Sequence, residues 1–149
     1  MTDRSALHDT FRLDRHFDAA PGRVFRAFAD PEAKAKWFGV PSTTKNASFD
    51  FREGGREVTE TTFDNGTQFG YYSTYTDIVL DERIVYTYEM TMNGQRISVS
   101  VATIELRASA TGGTDFTLTE QGVYLDGLDN PGQRKQGTEE LMDALAKSL

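Results

Sequence analysis

Four glycine-containing turn pairs, Gly54-Gly55, Asn65-Gly66, Asn93-Gly94 and Gly112-Gly113, constrain this chain more than any other feature. Asn-Gly and Gly-Gly supply the positive φ values that two-residue hairpin turns demand. The first pair separates strand signals at residues 48–51 and 56–62, and the second separates 59–63 from 68–78. The third lies between 84–92 and 96–106, and the fourth precedes 114–121. Asp81-Glu82 makes a further turn without glycine. Connections this short join antiparallel neighbours and exclude parallel crossovers. The predicted sheet is therefore a meander.

Before the meander, Phe11, Leu13 and Phe17 alternate with Arg12, Asp14 and His16, the period of a half-buried strand. Residues 1–10 are polar and are expected to form a flexible tail. Pro21 suits a first helical turn, and Val24, Phe25 and Phe28 follow at helical spacing. Asp30-Pro31 ends that helix and caps the next. Trp37-Phe38-Gly39 closes it, with Gly39 as the expected left-handed cap. Residues 133–149 form the last helix, with Leu141, Leu145, Leu149, Met142 and Thr138 on its apolar side and Glu139, Glu140, Asp143 and Lys147 opposite. Pro131 lies just before it. One amphipathic helix must bury its stripe against the sheet, since no other apolar surface is large enough. The expected class is α+β: a curved antiparallel sheet of about seven strands, two short helices after the first, and a long C-terminal helix over the sheet. Residues 11–149 make one domain.

With 149 residues the chain is long enough for a core of its own. Its formal net charge of −7 argues against nucleic acid or an anionic membrane as main partner, because both require a basic footprint. The absence of cysteine removes disulfides, thiolate catalysis and cysteine-ligated metals. The N-terminus lacks the pattern of a secretory signal, and no apolar stretch approaches the roughly 20 residues of a membrane span. The expected location is cytoplasmic, and the sequon Asn46-Ala47-Ser48 is then a chance match. Oligomeric state is not legible, and a homodimer is only the commonest default.

A family resemblance rests on several short stretches together: Pro21-Gly22-Arg23-Val24-Phe25, Trp37-Phe38, and Phe49-Asp50-Phe51-Arg52 with Gly54-Gly55. Asp81-Glu82-Arg83-Ile84-Val85-Tyr86-Thr87, Thr119-Glu120-Gln121-Gly122 and Gly137-Thr138-Glu139-Glu140-Leu141-Met142 continue it. Over nearly its whole length the chain resembles the START-like or Bet v 1-like (SRPBCC) superfamily. Within it, the chain is most similar to the branch related to the C-terminal domain of the activator of Hsp90 ATPase. The resemblance implies a helix-grip fold with a cavity between the concave sheet and the last helix. It also implies an apolar ligand, since members bind lipids, sterols or polyketides and some cyclise or hydrolyse. Many relatives place Gly-Trp in the last helix where this chain has Gly137-Thr138, so the cavity floor is expected to be less aromatic. A fold this widely reused does not set the function.

Residues that could carry chemistry are few. His8 falls in the expected tail and His16 on the polar face of the first strand, where neither reaches a substrate. Two histidines so placed, without cysteine, provide no transition-metal site. No Gly-x-Ser-x-Gly elbow is present, and the glycine pairs lie between strands, where they serve turns and not phosphate. Carboxylates remain. Phe116, Leu118 and Glu120 share one strand face, so a concave face would bury Glu120 among apolar groups and raise its pKa. It could then act as acid or base, anchor a ligand, pair with an arginine such as Arg52 or Arg56, or sit at the rim. Glu60 is a weaker version of the same idea.

Aromatic alternation gives the other signal. Ile84, Tyr86, Tyr88 and Met90 share a face, as do Phe69, Tyr71, Ser73 and Tyr75, unless a bulge substitutes Tyr72 and Thr74. Tyrosine offers an apolar ring with a polar handle, which suits a pocket for a mostly apolar molecule. The only tryptophan, Trp37, either gates the cavity or plugs its end. The leading expectation is a non-enzymatic, cofactor-free binder of a small apolar or aromatic molecule. Its expected lining is Trp37, Phe51, Tyr71, Tyr75, Tyr86, Tyr88, Met90, Glu120, Met142 and Leu145. The alternatives are an enzyme of the cyclase, dehydratase or hydrolase kind using Glu120, and a chaperone-interacting module similar to the Hsp90 activator domain.

Overall fold

The structure, a computed structural model, describes residues 4–39 and 44–149, with the side chains of residues 44–46 outside the described part. Asn46 of the sequon is among those side chains. In chain order the elements are β1 (Ala6–Phe17), α1 (Pro21–Ala29), α2 (Pro31–Ala35), β2 (Thr44–Phe49), β3 (Arg56–Thr62) and β4 (Gln68–Val79). They continue with β5 (Arg83–Met92), β6 (Gln95–Ala108), β7 (Thr114–Leu125) and α3 (Pro131–Ser148).

The strands form one seven-stranded antiparallel sheet in the order β1-β7-β6-β5-β4-β3-β2. From β2 to β7 each strand pairs with its successor, as the turn signals predict. Asn93 and Gly94 take φ values of 51° and 77°, the paired left-handed conformations of a tight hairpin turn. The sheet is closed off by β1, which lies beside β7 while its sequence neighbour β2 occupies the opposite edge. The chain between β1 and β2 must therefore travel the full width of the sheet. The two short helices make that crossing, and they fill the end of the concave face as they pass.

Each helix starts at a local signal. Asp30 accepts a hydrogen bond from the Glu32 backbone N–H at 3.2 Å and Asn130 one from Gln133 N–H at 3.1 Å, each satisfying a donor left open by the first turn. The core lies between the concave sheet face and the helices, around Phe17, Val24, Phe28, Ile104, Phe116 and Leu145, all nearly or fully buried. Phe17 and Phe28 each contact Phe116, with centroids 5.3 and 6.1 Å away. Among the described residues no helix is long and apolar enough to cross a membrane.

Three expectations are corrected. The first strand begins at Ala6, because Ala6–Thr10 pair in register with Leu125–Gln121. These residues are exposed on both faces, so backbone pairing holds them and no alternation marks them. His8 is thus an exposed strand residue. Gly39 is not left-handed: α2 ends at Ala35, and Lys36 and Trp37 close it with backbone bonds to Ala33 and Lys34. The last helix starts at Pro131, which occupies its first turn and does not precede it.

Candidate functional site

Pairing register decides what faces the helix. Glu120 of β7 stands opposite Ala102 of β6, which stands opposite Tyr86 of β5, which faces Tyr75 of β4. The neighbouring row runs Gly122, Ser100, Tyr88, Ser73 and Glu57, and the next Tyr124, Ser98, Met90 and Tyr71. β4 keeps its alternation through Tyr75 and slips only between Tyr75 and Asp77. Tyr71 and Tyr75 therefore share the concave face, and Tyr72 turns to the other side.

Between this face and α3 lies a cavity of about 280 Å³. Trp37, Tyr71, Tyr75, Tyr86, Tyr88, Met90, Glu120 and Met142 line it together. Phe51 and Leu145 do not. The Phe51 ring packs behind Tyr75 at 4.8 Å and against Phe25 at 5.7 Å. Leu145 is sealed in the core under α3, one turn beyond Met142. Glu60 lies on the opposite face of the sheet, where it accepts a hydrogen bond from Tyr72 at 2.9 Å. The helical side of the cavity is formed by Gln133, Arg134, Gly137, Thr138, Leu141 and Met142, with no aromatic residue among them.

Two buried polar clusters bound the cavity. At one side Lys34 of α2 donates to Glu57 at 2.5 Å and to the Tyr75 hydroxyl at 3.3 Å, and that hydroxyl donates to the same Glu57 oxygen at 2.9 Å. The ammonium also lies 4.8 Å from the ring centres of both Phe38 and Phe49, a cation–π arrangement. Burial pushes the Lys34 pKa down, against the opposing pull of Glu57. Neither Lys34 nor Glu57 was expected from the sequence. Lys34 carried a signal, because it lies three and four residues before Trp37 and Phe38 and so shares their face at helical spacing.

At the other side Tyr88 donates to Glu120 Oε2 at 2.9 Å and accepts from Arg134 at 3.0 Å. Arg134 also donates to Ser98 at 2.9 Å, contacts Asp129 directly, and comes within 4.0 Å of Glu120. The arginine near Glu120 is thus supplied by α3. Arg52 instead pairs with Asp50 at the surface and Arg56 is exposed, which corrects the sequence-based pairing. Burial raises the Glu120 pKa more than Tyr88 and Arg134 lower it. Arg134 was legible in retrospect: it lies four residues before Thr138 and eight before Met142, on the helix's buried stripe.

Between the clusters Tyr86 faces the cavity, its ring 5.9 Å from Tyr75 and 6.1 Å from Tyr88. Burial, and then the neighbouring Tyr71, Tyr88 and Glu120, push its pKa far up, so it stays a neutral hydroxyl. Its hydroxyl has no hydrogen-bond partner among the described residues. Trp37 donates its indole N–H to the Ala27 carbonyl at 2.8 Å and packs edge-on against Phe28 at 4.9 Å, which anchors it as part of the end wall.

The same architecture is found in solved proteins, and the sequence matches the family described as Activator of Hsp90 ATPase homolog 1-like protein over residues 18–149. The chain belongs to this family. An uncharacterized protein from Rhizobium leguminosarum is 42% identical, with a TM-score of 0.91 over 99% of this chain and 97% of its own. A protein from Rhizobium loti is 41% identical at a TM-score of 0.91, covering 97% of this chain and 99% of its own. One from Chromobacterium violaceum is 30% identical at 0.74, over 93% of this chain and 94% of its own. No curated protein matches the chain. The α+β helix-grip architecture is therefore that of a member of the Activator of Hsp90 ATPase homolog 1-like family.

Proposed function

We propose that this protein binds a small, largely apolar or aromatic molecule between its sheet and α3, without transforming it. The observation that carries this reading is the space itself: about 280 Å³ walled by tyrosines, with the Tyr86 hydroxyl unspent. That is close to the lower end of ligand pockets, roughly 300 Å³. A compact ring system fits these dimensions better than an extended lipid. Tyrosine rings supply apolar contact, and the few polar groups among them fix orientation.

Native mass spectrometry of gently purified protein, together with a thermal-shift screen of compact aromatic compounds, tests the reading. A bound mass, or a rise in melting temperature accompanied by a change in Trp37 fluorescence, supports it. A bare protein that no compound stabilises removes it.

A second reading has one observation in its favour: Glu120 is a buried carboxylate held beside a tyrosine hydroxyl, the pairing used in acid–base chemistry. Screening the Glu120→Gln variant for turnover of any compound found to bind decides it, since an unchanged rate excludes that role.

A further inference from the structure

The charge count around Glu120 is unbalanced. Two carboxylates, Glu120 and Asp129, share one guanidinium, that of Arg134. Asp129 takes the direct contact, while Glu120 lies at 4.0 Å, outside hydrogen-bond range. Asp129 also accepts from the Asn130 backbone N–H at 2.8 Å. Glu120 has only the neutral Tyr88 hydroxyl, on Oε2. Its other oxygen, Oε1, has no partner among the described residues, yet the residue is 3% exposed and lines the cavity. The opposite cluster shows no such surplus, because Lys34 and Glu57 pair one to one.

An acceptor that opens only into a largely apolar cavity is poorly compensated, and more so when it is charged. The hydroxyls of Tyr86 and of the buried Ser100 have no partner among the described residues, but neither forms a hydrogen bond with Glu120. Ser98 and Tyr124 are turned toward Arg134, by a hydrogen bond and by a ring 5.4 Å from its guanidinium. On the open side of Glu120 lies empty space bordered by tyrosine rings, whose faces attract cations within about 6 Å.

The geometry points to a small aromatic or alicyclic amine as the ligand, its protonated nitrogen donating to Glu120 Oε1 and its ring lying among Tyr71, Tyr86 and Tyr88. This deepens the binding reading above and rests on it. The raised pKa of Glu120 fits a carboxylate whose nearest cation is committed elsewhere. The formal charge of −7 also favours the approach of a cation.

The test uses three probes of one shape: indane, indan-2-ol and 2-aminoindane, titrated calorimetrically into the purified protein at neutral pH. The amine is expected to bind at least tenfold more tightly than the alcohol. In Glu120→Gln, which retains an acceptor for Tyr88, the two are expected to fall within about twofold of each other. Equal binding of hydrocarbon, alcohol and amine by the unaltered protein would overturn the amine assignment and leave the pocket reading standing. No heat with any of the three, and no mass adduct in the native spectrum, would overturn both. A preference for the amine that survives Glu120→Gln would overturn the role of Glu120.

Discussion

Lys34 and Glu57 meet between α2 and β3 with Nζ 2.5 Å from Oε1, and both side chains are almost withdrawn from solvent. The contact ties the crossing helices to the sheet beside the cavity. Removing one partner leaves a buried charge without compensation, which typically costs far more than the net worth of the pair. Glu57→Leu is expected to destabilise the protein by about 3–5 kcal/mol, lowering the melting temperature by roughly 10 °C. The double variant Lys34→Met with Glu57→Leu should recover most of that loss. Denaturant unfolding of the two single variants and the double variant measures the coupling.

Trp37 ties the end of α2 to α1 through its bond to Ala27 and its contact with Phe28. Trp37→Phe keeps most of the ring volume but strands the Ala27 carbonyl, at an expected cost of ~1–2 kcal/mol. Trp37→Ala adds a cavity and should cost ~3–5 kcal/mol. If Trp37 were a moving gate, either variant would speed ligand entry. An anchored wall predicts unchanged association rates and reduced stability, which stopped-flow binding and thermal unfolding separate.

The fold was legible because its decisive signals are local. Asn93-Gly94 requires left-handed backbone whatever surrounds it, and Pro21 and Asp30-Pro31 mark helix starts within one turn. What escaped depended on distance in sequence. Pairing at Ala6–Thr10 carries no alternation, since both sides meet solvent. Period two groups Glu120 with Phe116 and Leu118, but the arginine near it is Arg134 of α3, and no spacing rule on β7 supplies that neighbour. Phe51 was misplaced for a related reason. It lies just beyond β2, where period-two reasoning stops applying, and its ring turns behind Tyr75.

All six tyrosines of the chain are held above their ordinary pKa, chiefly by burial, with Tyr124 pushed up to about 12. In the unfolded chain they ionise near pH 10. Above that pH the unfolded state therefore holds fewer protons than the folded state, and stability must fall as pH rises. An alkaline titration should show almost no tyrosinate absorption until the protein unfolds, with Tyr72 the first to respond. The absorption change should then coincide with loss of circular dichroism. Early ionisation of several tyrosines in folded protein would contradict their burial.

Glu120 gives a pH dependence of its own. Its folded pKa is raised, so between the unfolded value and the folded one the native state holds more protons. The stabilisation it confers is complete below the unfolded pKa, near 4.3 for a free glutamate, and is lost as pH rises through the folded pKa. Glu120→Gln cannot titrate and still accepts from Tyr88. The stability of the unaltered protein relative to this variant should thus decline as pH rises above about 4, read from urea midpoints at each pH. A flat difference would mean that Glu120 is solvated in solution.

Thr138 is the position from which the space under α3 can be filled. Its side chain is buried, donates to the Arg134 carbonyl at 2.9 Å, and lines the cavity from α3. Thr138→Trp directs a large apolar ring into the open volume. Where a void exists, filling it stabilises, here by an expected ~0.5–2 kcal/mol, while any small ligand loses at least tenfold in affinity. Where no void exists, the same change overpacks the core and costs ~1–3 kcal/mol. The sign of the melting-temperature shift separates the two cases without knowledge of the ligand. A stabilised variant that still binds with unchanged affinity would place the ligand outside the cavity.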